Sequence, residues 1–318
     1  MKEFAGTGPL SDRARHESRR AGGPIPPGSP RSRSSHEPDR WRNESLVPLP
    51  YDINLSILFT ELPLLERPDA ASRAGFDAVE FWWPFPVAVP SDVEVDNFVS
   101  AVTDSGVQLV GLNFFAGDMA GGDRGVTSWP ARSAEFRDNV DVAVGIGARL
   151  GCRAFNALYG RRIDGTDPAE QDDLAVSNLA IAGKAAGEID GHVLIEPVSG
   201  AAGYPLLTAK DAVGVIDRVF AETRVDNLRL LCDLYHLSVN GDDLDQVITM
   251  YADRIGHVQI ADAPGRHEPG TGELELELYL SLLDAGGYRG WVGLEYKPES
   301  STEQSLHWLP RGRRQSRT

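Results

Sequence analysis

Eight short β-rich runs alternate with longer amphipathic stretches through the middle of this chain, and that alternation restricts its fold more than any other feature. The runs are INLSILF (53–59), DAVEFWW (77–83), VQLVGLNFF (107–115), CRAFNALY (152–159), HVLIEP (192–197), LRLLCDL (228–234), IGHVQIA (255–261) and WVGLEY (291–296). Helical patterns such as PARSAEFRDNVDVAVGIGARLG and LTAKDAVGVIDRVFAE lie between them. Strand and helix alternating eight times over about 250 residues predicts an α/β chain closed into a (β/α)8 barrel. A doubly wound sheet is the competing arrangement, but no Gly-rich phosphate loop joins the first run to its helix.

The two ends read differently. Residues 1–45 include AGGPIPPGSPRSRSSHEPDR, rich in Gly, Pro, Ser and Arg and without apolar periodicity. Such a segment buries too little apolar surface to offset its ordering entropy, so a disordered extension is expected there. The barrel is expected over 50–310, and RGRRQSRT (311–318) reads as a disordered basic tail. Charge follows the same division. Residues 1–50 hold nine Lys/Arg and six Asp/Glu, whereas 51–310 hold 18 basic and 41 acidic residues. A body that acidic repels phosphate backbones, which argues against a nucleic-acid partner and suits a site that collects divalent cations. No apolar run reaches the length of a membrane span, and the N-terminus lacks a secretory pattern. The two cysteines, Cys152 and Cys232, give neither a disulfide framework nor zinc-finger spacing. A cytoplasmic location is expected.

In a β/α barrel the chemistry sits at the carboxyl ends of the strands. The last four runs each carry an oxygen ligand there: Glu196 in LIEP, Asp233 in LLCDLYH, Gln259 in HVQIAD and Glu295 in GLEY. A buried carboxylate needs a cation, a hydrogen-bond network or a raised pKa. One such acid alone could cap a helix or pair with an arginine. Four oxygen ligands at matching places in consecutive units predict a divalent-ion site suited to Mg²⁺ or Mn²⁺, with Co²⁺ also accommodated. His236 follows Asp233 by three residues and could reach a substrate hydroxyl. The loop HVQIADAPGRHEPGTGELE (257–275) sets Arg266 in a Pro-Gly frame directly after the seventh run.

Taken together, NLSILFTELPLLERPDAASRAGFDAVEFWWPF, FFAGDMAGGDRG, LIEPVSG, CDLYHLSVNGDDL, IGHVQIADAPGRHEPGTGELE and GWVGLEYKP resemble the hydroxypyruvate isomerase family, within the xylose-isomerase-like group of TIM barrels. The resemblance runs from about Asn54 to Pro310; the first 45 residues have no counterpart in it. It implies a divalent metal and interconversion of hydroxypyruvate with 2-hydroxy-3-oxopropanoate (tartronate semialdehyde) through an enediolate. Carried over residue by residue, it places the metal ligands at Glu196, Asp233, Gln259 and Glu295, and the proton-transferring acids at Glu196 and Glu295. His236 and Arg266 match its substrate contacts. The loop VSGAAGYPLL after Pro197 is shorter than the family's version, which alters the mouth of the site.

Other residues carry two readings each. Trp82, Trp83 and Phe85 could roof the site or meet another copy of the chain, although aromatics there also suit the core. AGDMAGGDRG (116–125) could be a lid bringing Arg124 to the substrate, or a plain surface loop. Glu61, Asp262, Glu268 and Glu273 read as framework groups. The partner expected is a small hydroxy or oxo acid or a sugar, with neither nucleic acid nor membrane, and association into a homo-oligomer is open. Competing activities are a 2-oxotetronate isomerase or a ketose 3-epimerase on the same metal and acids. A multi-zinc nuclease would need many more histidines than the seven present. A non-catalytic binding barrel would have lost a metal ligand, and none of the four is missing.

Overall fold

The computed structural model describes residues 49–315. The expected extension (1–45) lies outside the described residues. Eight parallel strands close into a barrel in chain order: β1 (Tyr51–Asn54), β2 (Ala78–Phe81), β3 (Gln108–Asn113), β4 (Ala154–Asn156), β5 (His192–Ile195), β6 (Leu228–Asp233), β7 (Ile255–Ile260) and β8 (Val292–Leu294). Around it run α1 (Arg67–Ala74), α2 (Asp92–Ser105), α3 (Ser133–Leu150), α4 (Pro168–Gly187), α5 (Ala209–Thr223), α6 (Leu234–Val239), α7 (Leu244–Tyr251), α8 (Leu276–Ala285) and the short α9 (Thr302–Ser305). No helix among the described residues is long and apolar enough to cross a membrane.

Among the described residues, six of the nine helices start where a side chain satisfies a free backbone N–H group; α1, α3 and α8 have no such cap. Ser91 and Glu94 form a capping box at α2, and Thr208 and Asp211 form one at α5. Asp167 caps α4 ahead of Pro168, which occupies a position with no N–H to lose. The helix faces turned to the strands bury Phe98 and Val102 from α2, Phe136 and Val140 from α3, and Ile216 and Val219 from α5. Cys152 and Cys232 are buried free thiols in this core.

Two expectations need correction. The first run, 53–59, is displaced: the strand is Tyr51–Asn54, and the chain turns immediately after it. Ile57 and Leu58 N–H both donate to the Asn54 carbonyl, and Asn54 Oδ1 accepts from Ser56 N–H, so residues 55–59 form a turn that buries Leu55, Leu58 and Phe59. The basic tail does not begin at 311. Arg311–Arg313 form a 3-10 turn, and the Arg314 guanidinium donates to the carbonyls of Ala74, Leu306 and Leu309 and lies over Phe76. The cation is spent on backbone carbonyls at the end of α1 and in the turn 306–309.

Inside the barrel, alternate residues of each strand point inward. Asn54 pairs in register with Glu80, Glu80 with Gly111, Asp233 with Gln259, and Gln259 with Gly293. Among the strands β4, β5 and β6 the interior is apolar, with Ala154, Leu194 and Leu231 packed together, whereas β1, β2 and β7 bury Asp52, Glu80 and His257. The candidate acids lie at the carboxyl ends of the strands, above these buried polar groups.

Candidate active site

Glu196, Asp233, His236 and Glu295 each present a ligand atom within 4.8 Å of the others, and all four are buried. Three come from strand ends: Glu196 directly follows β5, Asp233 closes β6 and Glu295 directly follows β8. His236 stands on the first turn of α6, whose N-terminus is capped by the Asp233 side chain. Glu196, His236 and Glu295 line a cavity of about 580 Å³ together with Trp82, Asn113, Met119, Arg124, Tyr235, Arg266 and Lys297. A similar cavity of about 590 Å³ lies against Lys184, His192, Arg224 and Arg229, around the starts of β5 and β6, and contains none of these acids.

Each acid is held by a different partner. Glu196 Oε2 accepts from Asn156 Nδ2 at 2.6 Å. Glu295 accepts from Arg266 Nη2 at 2.7 Å, from the Trp82 indole N–H, and from Asn54 Nδ2 at 3.4 Å. Asp233 Oδ1 caps α6, while its Oδ2 is buried without a hydrogen-bond partner. Gln259 donates through Nε2 to Glu80 Oε1 at 2.8 Å, and its Oε1 is likewise buried and unpartnered.

Burial shapes the protonation of the site. It pushes the Glu196 carboxyl up to about 8, with the neighbouring Asp233 adding to the shift. Burial also raises Glu295 well above the ordinary carboxylate range, against the pull of Arg266. His236 is driven the other way, down to about 4, by burial. Its Nδ1 accepts the Ser199 backbone N–H at 3.0 Å, so the neutral ring carries its proton on Nε2. That N–H lies 3.7 Å from Asp233 and 3.9 Å from Glu196.

The loop after β7 is a rigid frame. Asp262 Oδ1 accepts from the N–H groups of Ala263 and Leu274, and its Oδ2 from Gly270. Asp262 and His267 form an antiparallel bridge, and Lys297 N–H donates to the Arg266 carbonyl at 2.7 Å. Arg266 adopts φ 62°, a left-handed conformation that costs a non-glycine residue of order 1 kcal/mol. That turn lets the side chain lie over Tyr235 and reach Glu295, 3.8 Å from Asp233. The dense charge of this loop thus serves two ends: Asp262 builds the frame, and Arg266 faces the acids.

The structure brings all the sequence-predicted residues to one end of the barrel. Arg124 lines the cavity, with Nη1 tied to the Met119 and Asp123 carbonyls. Its loop is cross-linked by Asp118, Asp123 and Arg132. Trp82 forms part of the site wall, while Trp83 and Phe85 meet edge to face. Of the expected framework acids, Glu61 and Glu268 accept from Thr302 and Glu299, and Glu273 is exposed.

Sequence reasoning missed a layer beneath the acids. Glu80 is buried and accepts from Asn54, Gln259 and His257, the last at 2.7 Å. Burial alone would lower His257, but Glu80 and then Asp52 hold the imidazolium and bring it to about 9. Asp52, fully buried below, is pushed well above the carboxylate range by burial and by Glu80. The signal for Glu80 was present, since a carboxylate interrupts the apolar run DAVEFWW as others do in the later runs. Lys297, exposed at the mouth and free of side-chain partners among the described residues, was also passed over.

The acids and Gln259 fit a divalent cation. Two buried oxygens, Asp233 Oδ2 and Gln259 Oε1, lack any hydrogen-bond donor, and leaving such atoms unpaired costs about 1–3 kcal/mol each. All four side chains offer oxygen, the donor type hard cations take.

Comparison with known proteins places the chain among similar sequences and folds. Residues 68–312 match the family described as "Xylose isomerase-like TIM barrel". A protein of Streptomyces coelicolor called "Putative hydroxypyruvate isomerase" is 54% identical over 272 residues, spanning 84% of this chain and 98% of its own. The "Hydroxypyruvate isomerase" of Escherichia coli is 35% identical, covering 82% and 98%. A "2-oxo-tetronate isomerase" of Pectobacterium atrosepticum is 31% identical, covering 80% and 94%. Among solved structures, one described as "AP endonuclease, family 2 from Brucella melitensis" superposes with a TM-score of 0.74 at 35% identity, covering 82% of this chain and 98% of that one.

Proposed function

Because the chain belongs to the hydroxypyruvate isomerase family of xylose isomerase-like TIM barrels, we propose that it is a divalent-metal-dependent isomerase interconverting hydroxypyruvate and 2-hydroxy-3-oxopropanoate. One observation carries the metal-dependent part of this reading. Three carboxylates gather within 4.8 Å of one another, Gln259 pairs in register with one of them, and two buried oxygens of this set have no donor.

Glu196, Asp233, Gln259 and Glu295 would hold the ion, which when bound supplies the Lewis acidity that makes a carbon-bound proton removable. The chain's own groups then account for the rest. The reaction takes a proton from C3 of hydroxypyruvate and returns one to C2, while the hydroxyl proton moves from O3 to O2. Glu196 and Glu295 flank the cavity from β5 and β8, and one can take the proton while the other delivers one on the opposite side. Burial raises both carboxyls in the metal-free site, so each is able to carry a proton. His236, neutral with Nε2–H facing the acids, can donate to a substrate oxygen. Arg266, Arg124 and Lys297 line the same cavity and offer positive charge to the substrate carboxylate. The Trp82 indole and Asn54 amide keep Glu295 oriented.

The three cations favour an oxo acid over a neutral ketose. A four-carbon oxo acid is the second reading, supported by the 31% identical relative and by a cavity of about 580 Å³, ample for a longer chain. A nuclease that relies on several histidine-bound ions finds little here, with one histidine in the acid cluster. The test is incubation of Mn²⁺-loaded protein with hydroxypyruvate, 2-oxotetronate and a ketose, with products followed by NMR. Conversion of hydroxypyruvate that chelator abolishes and Mg²⁺ or Mn²⁺ restores is expected. Conversion of a ketose alone, or full activity in rigorously metal-free protein, would overturn the reading.

A further inference from the structure

We propose that Glu80 is a positioning residue that fixes which end of the Gln259 amide faces the site. The inference rests on the reading of Glu196, Asp233, Gln259 and Glu295 as the cation's ligands. A glutamine is useful to a cation only through its oxygen; turned over, it would present an –NH₂ group and repel the ion. Something must therefore hold the amide one way round.

Glu80 is placed to do so. As a carboxylate with donors on both oxygens it can only accept. Its Oε1 takes Gln259 Nε2 at 2.8 Å and Asn54 Nδ2 at 3.0 Å, and its Oε2 faces His257 Nε2 at 2.7 Å. The sense of Asn54 is itself fixed, because its Oδ1 accepts Ser56 N–H at 2.9 Å. Reversing Gln259 would press its oxygen against Glu80 Oε1 with no proton between them, and turn its donors towards the buried site. In the observed sense the Gln259 oxygen is left free.

The contact spans the barrel wall, and the fold clears a path for it. Glu80 is on β2 and Gln259 on β7, with β1 and β8 between them. The residue in register with Gln259 on β8 is Gly293. A Cβ there would lie 2.8 Å from Glu80 Oε1 and 3.1 Å from Gln259 Cγ. On the other flank, a Cβ at Gly111 would lie 3.1 Å from Glu80 Oε2. Glycine at 293 leaves room for the acid and the amide to meet.

The test is a double-mutant cycle read by calorimetric Mn²⁺ affinity on the full chain. Glu80→Gln offers an amide that can pair with either end of Gln259, so affinity should fall about 10- to 100-fold, the range typical of groups that orient metal ligands. Gln259→Glu removes the need for orientation, since both ends of a carboxylate accept. Adding Glu80→Gln to it should cost nothing, or restore affinity, because the new amide at position 80 then donates to the carboxylate at 259. Unchanged affinity in Glu80→Gln overturns the inference. So does an equal loss in both backgrounds, which would mean general damage. Should Glu80→Gln fail to fold, Gly293→Ala separates the pair without altering either group. It should lose at least tenfold, and wild-type affinity would overturn the inference. Absence of Mn²⁺ binding by the wild type would instead sink the cation-site reading and this inference with it.

Discussion

At the scale of single residues, two carboxyl groups of the site are kept short of their usual ionisation by burial. Glu196, raised to about 8, retains a proton at neutral pH in the metal-free protein, and Glu295 is raised as well. A carboxyl whose folded pKa exceeds its unfolded one, about 4.3, favours the fold most at low pH and loses that contribution as pH climbs towards 8. Metal uptake must displace those protons. Mn²⁺ affinity should therefore rise with pH up to about 8, with proton release visible as a dependence of binding heat on buffer ionisation enthalpy. Binding with no proton release at pH 6 to 7 would contradict this electrostatic picture. The cations at the mouth make a separate prediction. Arg124→Met and Lys297→Met should each raise KM for an oxo acid about tenfold or more, and leave turnover of any neutral analogue unchanged. Equal effects on both substrates would remove them as carboxylate contacts. Of these residues, Glu196, Asp233, Gln259 and Glu295 were legible because each interrupts an apolar run near a strand end. Asn54 and Asn156 also interrupt apolar runs, but in the first and fourth runs, outside the four consecutive units whose strand ends repeat an oxygen ligand.

At the scale of elements, the strand runs were readable from apolar continuity, but their edges were not. Residues 55–59 are as apolar as a strand yet form a turn held by Asn54, because burial and strand pairing leave the same mark on composition. The loop 257–275 was recognisable as unusual from its charge, whereas the role of Asp262 as its internal anchor emerged only from geometry. Gly272 tests that frame. A Cβ there would sit 2.3 Å from the Ala263 carbonyl oxygen and 2.5 Å from Asp262 Oδ1. Gly272→Ala should displace the loop and with it Arg266, lowering kcat/KM at least tenfold; unaltered kinetics would show that the frame does not hold Arg266. The C-terminal turn shows a limit of compositional reading. Four arginines suggested solvation, yet Arg314 satisfies three carbonyls. Arg314→Ala should cost about 1–3 kcal/mol, lowering Tm by about 2–4 °C per kcal/mol. An unchanged melting curve would mean that water replaces the guanidinium without loss.

At the scale of the whole molecule, a closed barrel brings residues far apart in the chain onto one polar end. Glu295 meets Asn54, Trp82 and Arg266, from three other β/α units. The N-terminal extension has no place in that design on sequence grounds, and its deletion (residues 1–45) should shift Tm by no more than a few degrees. A larger loss would show that it packs on the barrel. The central claim is that two carboxylates move a carbon-bound proton beside a divalent ion. Its most direct measurement is solvent deuterium entering hydroxypyruvate and its product, by NMR, in Mn²⁺-saturated wild type, Glu196→Gln and Glu295→Gln. The wild type should incorporate deuterium at the rate of turnover. Both variants should turn over at least about 10²-fold more slowly even with metal bound, and at least one should lose exchange, because an amide cannot accept the proton. Near-normal turnover and exchange in both variants with Mn²⁺ bound would contradict the account.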